Sequence, residues 1–129
     1  MPEATVADAV ETALRGAGVP WRRVADGEWG LVAEAAGWDL HVGVALRDGL
    51  LAAQAEALPP GRADPHALLY RNRGLRLVRF AHTGAGAVWV QGELPLRAVT
   101  AEEVDCLLGL LAQAAADVRA AAGGETSSR

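Results

Sequence analysis

Apolar residues recur at helical spacing near both ends of the chain. In residues 5–15 they lie at Val6, Val10 and Leu14, and Thr5 precedes them as the predicted N-cap. Near the C-terminus the stripe is longer and consists of Val104, Leu107, Leu108, Leu111, Ala115 and Val118. Both patterns predict an amphipathic helix with one side facing a core.

Two helices have marked ends. Thr100 is the predicted N-cap of the C-terminal helix, and Glu103 three residues later completes a capping box. A shorter helix is predicted in the middle of the chain, where Asp64 can cap the first turn and Pro65 fits the first helical position. Gly74 is the predicted left-handed residue that ends it.

The segments between these helices read as strands bounded by turn residues. The predicted strands cover residues 21–25, 28–36, 39–46, 50–58, 75–82 and 87–93. Asp26-Gly27 and Asp48-Gly49 are hairpin turns, and a glycine-bearing turn over residues 83–86 joins the last two strands.

This order of elements predicts the fold class. A helix, four strands, a short helix, two strands and a long helix imply an α+β domain, with the helices packed on one face of an antiparallel sheet. At 129 residues the chain is long enough for a single domain. We therefore expect one domain over residues 1–122, followed by a flexible tail over residues 123–129.

Such an arrangement leaves one sheet face without helices. The residues predicted to lie on that face include His41, Ala45, Trp89 and Gln91, and the face as a whole is expected to be poor in charge. A sheet face that is neither covered nor well charged is a candidate contact surface. These four residues are therefore the candidate partner-binding residues.

The four tryptophans carry most of the aromatic bulk of the chain. Trp21, Trp29 and Trp38 are predicted core residues, and Trp89 is predicted to be exposed, as tryptophans at binding hot spots are. The lone Cys106 cannot form an internal disulfide, and we predict that it is a small buried hydrophobe.

The charge balance argues against one class of partner. The formal net charge is −4, whereas a general nucleic-acid binder needs a basic face. The N-terminus lacks the pattern of a signal peptide, and no uninterrupted apolar run reaches the ~18 residues of a membrane span. We expect a cytoplasmic protein without a membrane partner.

The residues that could carry catalysis do not form a recognisable motif. His41, His66 and His82 have no metal-ligand spacing, and the acidic cluster that begins at Glu102 fits the first turn of a helix. No P-loop, GxSxG or CxxC motif is present. The sequence therefore predicts no enzyme, no cofactor and no metal.

One local excess of positive charge keeps an alternative open. Arg71, Arg73, Arg76 and Arg79 lie close together in the chain and could bind an anionic ligand or nucleic acid. They are also what a solvated helix end and an outward strand face would show.

Part of the C-terminal half resembles a known family. The segment Leu68-Leu69-Tyr70-Arg71-Asn72-Arg73-Gly74-Leu75, followed by Val78-Arg79-Phe80-Ala81, is similar to the "LL-x-x-N-x-x-L-x-x-A-R-F" region of the YbjN-like family. Val88 to Leu96, with its "ELP" exit, and the helix from Thr100 also fit. The alanine expected directly before the arginine is Val78 here.

The resemblance carries expectations about function. The YbjN-like family shares its fold with type III secretion chaperones, which implies a homodimeric module without catalytic residues that acts through protein contacts. The expected mechanism is burial of a partner's apolar segment on the open sheet face or along the first helix. Leu68 and Leu69 of the central helix are the candidate dimer contacts.

Overall fold

The computed structural model describes the backbone of residues 3–127 and the side chains of residues 5–123. Its helices are α1 (Glu3–Ala17), α2 (Pro65–Asn72) and α3 (Ala101–Ser127). Its strands are β1 (Trp21–Ala25), β2 (Glu28–Ala35), β3 (Trp38–Arg47), β4 (Leu50–Leu58), β5 (Val78–His82) and β6 (Val88–Pro95). A 3₁₀ turn over Leu96–Ala98 leads into α3.

The predicted fold class is confirmed. All six strands form one antiparallel sheet in the order β1-β2-β3-β4-β6-β5. The insertion of β6 between β4 and β5 makes the last hairpin fold back, so β5 becomes an edge strand. α1 and α3 contact each other, and α3 crosses β2, β4, β5 and β6.

The core lies between α1, α3 and one face of the sheet. The alternation predicted for β3 holds, since Leu40, Val42 and Val44 are all buried on this side. The predicted α3 stripe holds too, with Val104, Leu107, Leu111, Ala115 and Val118 buried and Leu108 half-buried. Alanines at alternate positions of β4 bring this strand close beneath α3.

Two predicted helix caps are confirmed, and two predicted helix ends are wrong. An Asp64 carboxylate oxygen accepts from the His66 N–H at 3.1 Å, and Thr100 Oγ1 accepts from the Glu103 N–H at 3.1 Å. α1 starts at Glu3, so Thr5 lies inside the helix rather than at its cap. Gly74 is not left-handed, because successive 3₁₀-type hydrogen bonds end α2 without a reversal of φ.

The segment before β5 departs from the prediction for a related reason. The chain continues in turns after α2, and Leu77 takes a positive φ of 67°. The strand therefore begins at Val78 instead of at residue 75. α3 extends to Ser127, and residues 128–129 of the predicted tail lie outside the described residues.

A buried arginine ties the C-terminal part of α3 to the sheet. Arg119 is 5% exposed, and its guanidinium donates to the carbonyls of Ala57, Ala35, Trp38 and Asp39 at 2.8 to 3.1 Å. Burial lowers the pKa of Arg119 from its ordinary value. Two of the acceptors flank the turn between β2 and β3, where Ala36 has a positive φ of 55°. Arg119 thus holds a strained hairpin in place.

Two predictions of burial are wrong. Trp38 is 48% exposed, because its ring lies at the surface against the Arg119 guanidinium, 3.4 Å from the ring centroid. Cys106 is exposed because it lies about 100° around the helix from Leu107, away from the buried stripe. Trp29 is buried as predicted, and Trp21 is half-buried.

α3 is long and apolar enough over Ala101–Gly123 to cross a bilayer by length and composition. Its mean hydropathy is high enough for a span because alanines fill many of the positions between the leucines. Polar residues nevertheless interrupt every apolar run before it reaches the ~18 residues of a membrane span. In this fold the apolar stripe of α3 is packed in the core, and the core helices of soluble proteins pass the same test. The helix is therefore weak support for a membrane span.

Candidate functional site

The sheet face opposite α1 and α3 is uncovered in the part of the chain that the structure describes. One row of paired residues crosses the middle of this face. Gly30 of β2 pairs with Gly43 of β3, Gly43 pairs with Gln54 of β4, and Gln54 pairs with Gln91 of β6. Ala45 and Ala52 form the next pair on the same face. We call this surface the open face, and its centre carries small or uncharged side chains.

The four predicted partner-binding residues all lie on the open face. Ala45 and Gln91 are half-buried, and His41 is exposed. The prediction that Trp89 is exposed is wrong, because its side chain is half-buried. The Gln91 side-chain amide donates to Gln54 Oε1 at 3.4 Å. These residues are spread over β3 and β6, with β4 between them, so they belong to one surface rather than to one pocket.

The prediction that this face is poor in charge is wrong at its rim. Arg79 forms two hydrogen bonds to the Glu93 carboxylate, at 2.8 and 2.7 Å, and Arg47 lies 3.8 Å from Glu28. The hydrogen bonds from Arg79 lower the pKa of Glu93. These two pairs are neutralised across neighbouring strands. The same face also carries the exposed carboxylates of Glu34, Asp39 and Glu56, which have no ion-pair partner among the described side chains.

The β5 edge of the sheet is closed by a side chain of α2. Asn72 Oδ1 accepts from the Phe80 N–H at 2.7 Å, and Asn72 Nδ2 donates to the Phe80 carbonyl at 3.1 Å. The amide thereby takes the place of a neighbouring strand at the centre of β5. Asn72 is the asparagine of the motif quoted above, which gives that position a structural role.

The β1 edge is also poorly suited to pairing with another strand. β1 has five residues, a bulge between Arg23 and Ala25, and Pro20 before it, which has no N–H to donate. Arg22 places a positive charge on this edge, whereas the charge of Arg23 is paired with Glu11 of α1. Short, bulged and charged edges are how proteins avoid edge-to-edge association. Neither edge of the sheet therefore offers a free strand for edge-to-edge pairing.

The four arginines of the alternative hypothesis do not form one free cluster. Arg79 is paired with Glu93 on the open face, and Arg73 lies 5.9 Å from the centroid of the Tyr70 ring. Arg71 and Arg76 are exposed on α2 and on the turn that follows it. Of the four, only Arg79 has its charge neutralised by a carboxylate among the described side chains, and Arg71 and Arg73 keep their charge and line one depression of about 660 Å³ beside Tyr70.

The structure separates the two predicted dimer contacts. Leu68 is 4% exposed and packs in the core, so its side chain does not reach the surface of this chain. Leu69 is 67% exposed, and the adjacent Tyr70 is 72% exposed. Tyr70 is not among the predicted dimer contacts. It is exposed because α2 is short and has one buried position, Leu68, so the two residues that follow Leu68 face away from the core.

No group of three or more His, Cys, Asp or Glu side chains that could hold a metal is found among the described residues. His41, His66 and His82 lie on β3, at the start of α2 and at the end of β5. Glu11 has a lowered pKa, caused first by a hydrogen bond from Trp29 and then by Arg23, and this cluster joins α1 to the sheet. The Glu11 carboxylate therefore has a structural explanation.

The comparison with protein-family models gives a match over most of the chain. Residues 7–123 match the YbjN model, whose description is "Putative bacterial sensory transduction regulator". The chain belongs to the YbjN family. The search of curated proteins found no match. The YbjN description is that of a regulator and not of an enzyme, which is compatible with the module without catalytic residues expected from the sequence.

Proposed function

We propose that this YbjN-family domain is a non-enzymatic regulatory module that holds an apolar, extended segment of a partner protein on its open face. The observation that carries the proposal is the strip of Gly43, Ala45 and Ala52, of which the glycine is exposed and the alanines are half-buried. The half-buried Trp89 lies farther along the open face, where it pairs with Glu56 of β4. Small residues leave room for the apolar side chains of a segment, and tryptophan is a frequent binding hot spot.

Two further features favour the open face over other surfaces. The exposed residues of α1 whose side chains are described are Thr5, Asp8, Thr12, Arg15, Gly16 and Ala17, so the helix offers no apolar stripe to solvent. The sheet edges are closed by Asn72 at β5 and by the bulge and charge of β1. An incoming segment therefore finds its largest uncharged contact across the middle of the sheet.

The proposal includes a homodimer formed through α2. Leu69 and Tyr70 are the most exposed large apolar side chains among the described residues, and they stand next to each other on the helix. Pairing of two α2 helices would bury both residues in each copy. We expect light scattering to give the mass of a dimer for the parent and of a monomer for Leu69→Glu. A parent that stays monomeric at high concentration would remove the dimer from the proposal.

Site-specific photo-crosslinking tests the binding face. p-Benzoylphenylalanine is introduced at Ala45, and at the exposed Thr12 of α1 as a matched control. We expect Ala45 to give an adduct with one partner protein, mapped by mass spectrometry to an apolar segment, and Thr12 to give none. The corresponding synthetic peptide should bind the purified parent and bind Ala45→Arg more weakly.

Three results would contradict this assignment. Equal adducts from Ala45 and Thr12 would mean that the labelling is not specific to the open face. Adducts formed only with a second copy of the chain would make this face the dimer interface. A peptide that binds parent and Ala45→Arg equally well would place the segment on another surface.

A further inference from the structure

A depression of about 520 Å³ lies at the β1 end of the open face. The paired Gly30 and Gly43 form its floor, Pro20 and Val32 line it with apolar atoms, and Arg22 and His41 contribute its charged and titratable groups. Arg22 of β1 pairs with Gly30, so it lies on the strand next to the floor. His41 pairs with Val32 and lies on β3, two positions before Gly43. The depression lies apart from Trp89 and Gln91, which are on β6.

The charge of the depression is one-sided. Among the described residues that line it, none is acidic. Arg22 is exposed, and it has no ion-pair or hydrogen-bond partner among the side chains of residues 5–123. The neighbouring Arg23, in contrast, is bound to Glu11. A chain of net charge −4 thus leaves a free guanidinium beside a cavity without carboxylates.

Local structure does not explain the two glycines of the floor. Neither has a positive φ, and a Cβ atom at Gly43 would meet nothing within 4 Å. A Cβ atom at Gly30 would make only an ordinary contact of 3.5 Å with Val24. Glycine inside a strand is less favourable than alanine by roughly 0.5–1 kcal/mol, and it often marks a place where a ligand approaches the backbone.

A role for Arg22 in edge protection would account for the arginine alone. Such a role needs a charge on β1, but it needs neither a flat floor across β2 and β3 nor apolar atoms beside it. The floor itself spans one strand spacing, about 4.8 Å from β2 to β3, and Arg22 lies one further spacing away on β1. A planar aromatic ring system can lie along a floor of that width with an anionic substituent toward Arg22.

We propose that this depression binds a small planar aromatic anion. The ring lies on the backbone of Gly30 and Gly43 against Pro20 and Val32, and the anionic group accepts hydrogen bonds from Arg22 and His41. A carboxylate suits the planar guanidinium because it can accept two parallel hydrogen bonds. This site goes beyond the proposed function, because it needs no partner protein.

The probe is 2-naphthoate, with the uncharged 2-naphthamide as its isosteric control. Each compound is titrated into ¹⁵N-labelled protein, and amide shifts are followed by NMR. We expect saturable shifts at the Gly30 and Gly43 amides with 2-naphthoate, and at least about fivefold weaker binding of 2-naphthamide, because it lacks the charge.

Three variants localise the binding. Arg22→Gln should weaken 2-naphthoate binding by about fivefold or more, and Gly43→Leu should abolish it by filling the floor. The matched control Arg97→Gln removes an exposed arginine outside the depression and should bind like the parent. Because a Cβ atom at Gly43 has open space, Gly43→Leu is expected to fold, which its amide spectrum checks directly.

Several outcomes would overturn this site. They are the absence of saturable binding, equal affinity for 2-naphthamide, unchanged affinity in Arg22→Gln, and largest shifts at Trp89 and Gln91 instead of the glycines. Each of these measurements is made without a partner protein. Failure of the ligand site is therefore distinguishable from failure of the photo-crosslinking test.

Discussion

Arg119 provides the sharpest test of how the helices and the sheet are held together. The change Arg119→Met keeps most of the length of the side chain and removes all of its hydrogen-bond donors. Of the four carbonyls that it serves, those of Ala57 and Ala35 belong to residues that are 0% and 2% exposed, so water cannot easily replace the guanidinium there. Trp38 and Asp39 are exposed, and water can reach their carbonyls.

The magnitude follows from the two buried acceptors. A buried polar group without a partner costs about 1–3 kcal/mol, which gives about 2–6 kcal/mol for the pair. The desolvation of the guanidinium, seen in its lowered pKa, opposes part of this loss. We therefore expect Arg119→Met to lower the free energy of unfolding by about 3 kcal/mol, and Tm by about 10 °C for a domain of this size.

Urea unfolding at pH 7, followed by circular dichroism, measures this quantity. The control Arg97→Met removes an exposed arginine and should change the free energy of unfolding by less than about 0.5 kcal/mol. Tryptophan fluorescence adds a local readout, because the Arg119 guanidinium lies against the Trp38 ring. If Arg119→Met were as stable as Arg97→Met, the conclusion that the Arg119 hydrogen bonds hold α3 to the sheet would be refuted.

Three other changes test separate parts of the structure. Gly92→Ala should lower the free energy of unfolding by about 1–3 kcal/mol, because its Cβ atom would lie 2.8 Å from Leu107 Cδ1 and 2.9 Å from the Leu77 carbonyl oxygen. The control is Gly43→Ala, where a Cβ atom would meet nothing within 4 Å. Equal stability of the two variants in urea unfolding would contradict the steric explanation. Asn72→Ala should leave the Phe80 backbone groups without partners and cause concentration-dependent association through β5, seen by light scattering, whereas Arg71→Ala should not. The pKa of Glu11 is lowered in the folded protein, so its carboxylate stabilises the fold at pH values above its ordinary pKa of 4.5, and this stabilisation is lost as pH falls through the pKa of the folded state. The difference in free energy of unfolding between parent and Glu11→Gln, measured in urea, should therefore be largest at pH 7 and shrink toward pH 3. A pH-independent difference would show that the ionised carboxylate is not what holds α1 to the sheet.

The order of the elements could be predicted because its signals are local. Asp48 and Gly49 both take a positive φ in the turn between β3 and β4, as an Asp-Gly hairpin requires. The caps at Asp64 and Thr100 act within three residues. Such features depend on neighbours in the chain, and the sequence contains them in full.

The features that were missed depend on contacts between distant segments. Arg119 finds carbonyl acceptors more than 60 positions away, and nothing next to it in the sequence marks it as buried. Gly30 and Gly43 lie opposite each other only because β2 pairs with β3 in this register. The paired charges at the rim, such as Arg79 with Glu93, likewise require the pairing of β5 with β6.

We propose that a partner segment binds to the open face and to no other surface. NMR shift mapping on ¹⁵N-labelled protein, with the peptide identified by photo-crosslinking, distinguishes this face from the others. We expect the perturbed amides to be those of β3, β4 and β6 around Ala45, Gln54 and Gln91. Perturbations concentrated on the outer sides of α1 and α3, or along the β1 edge, would contradict it.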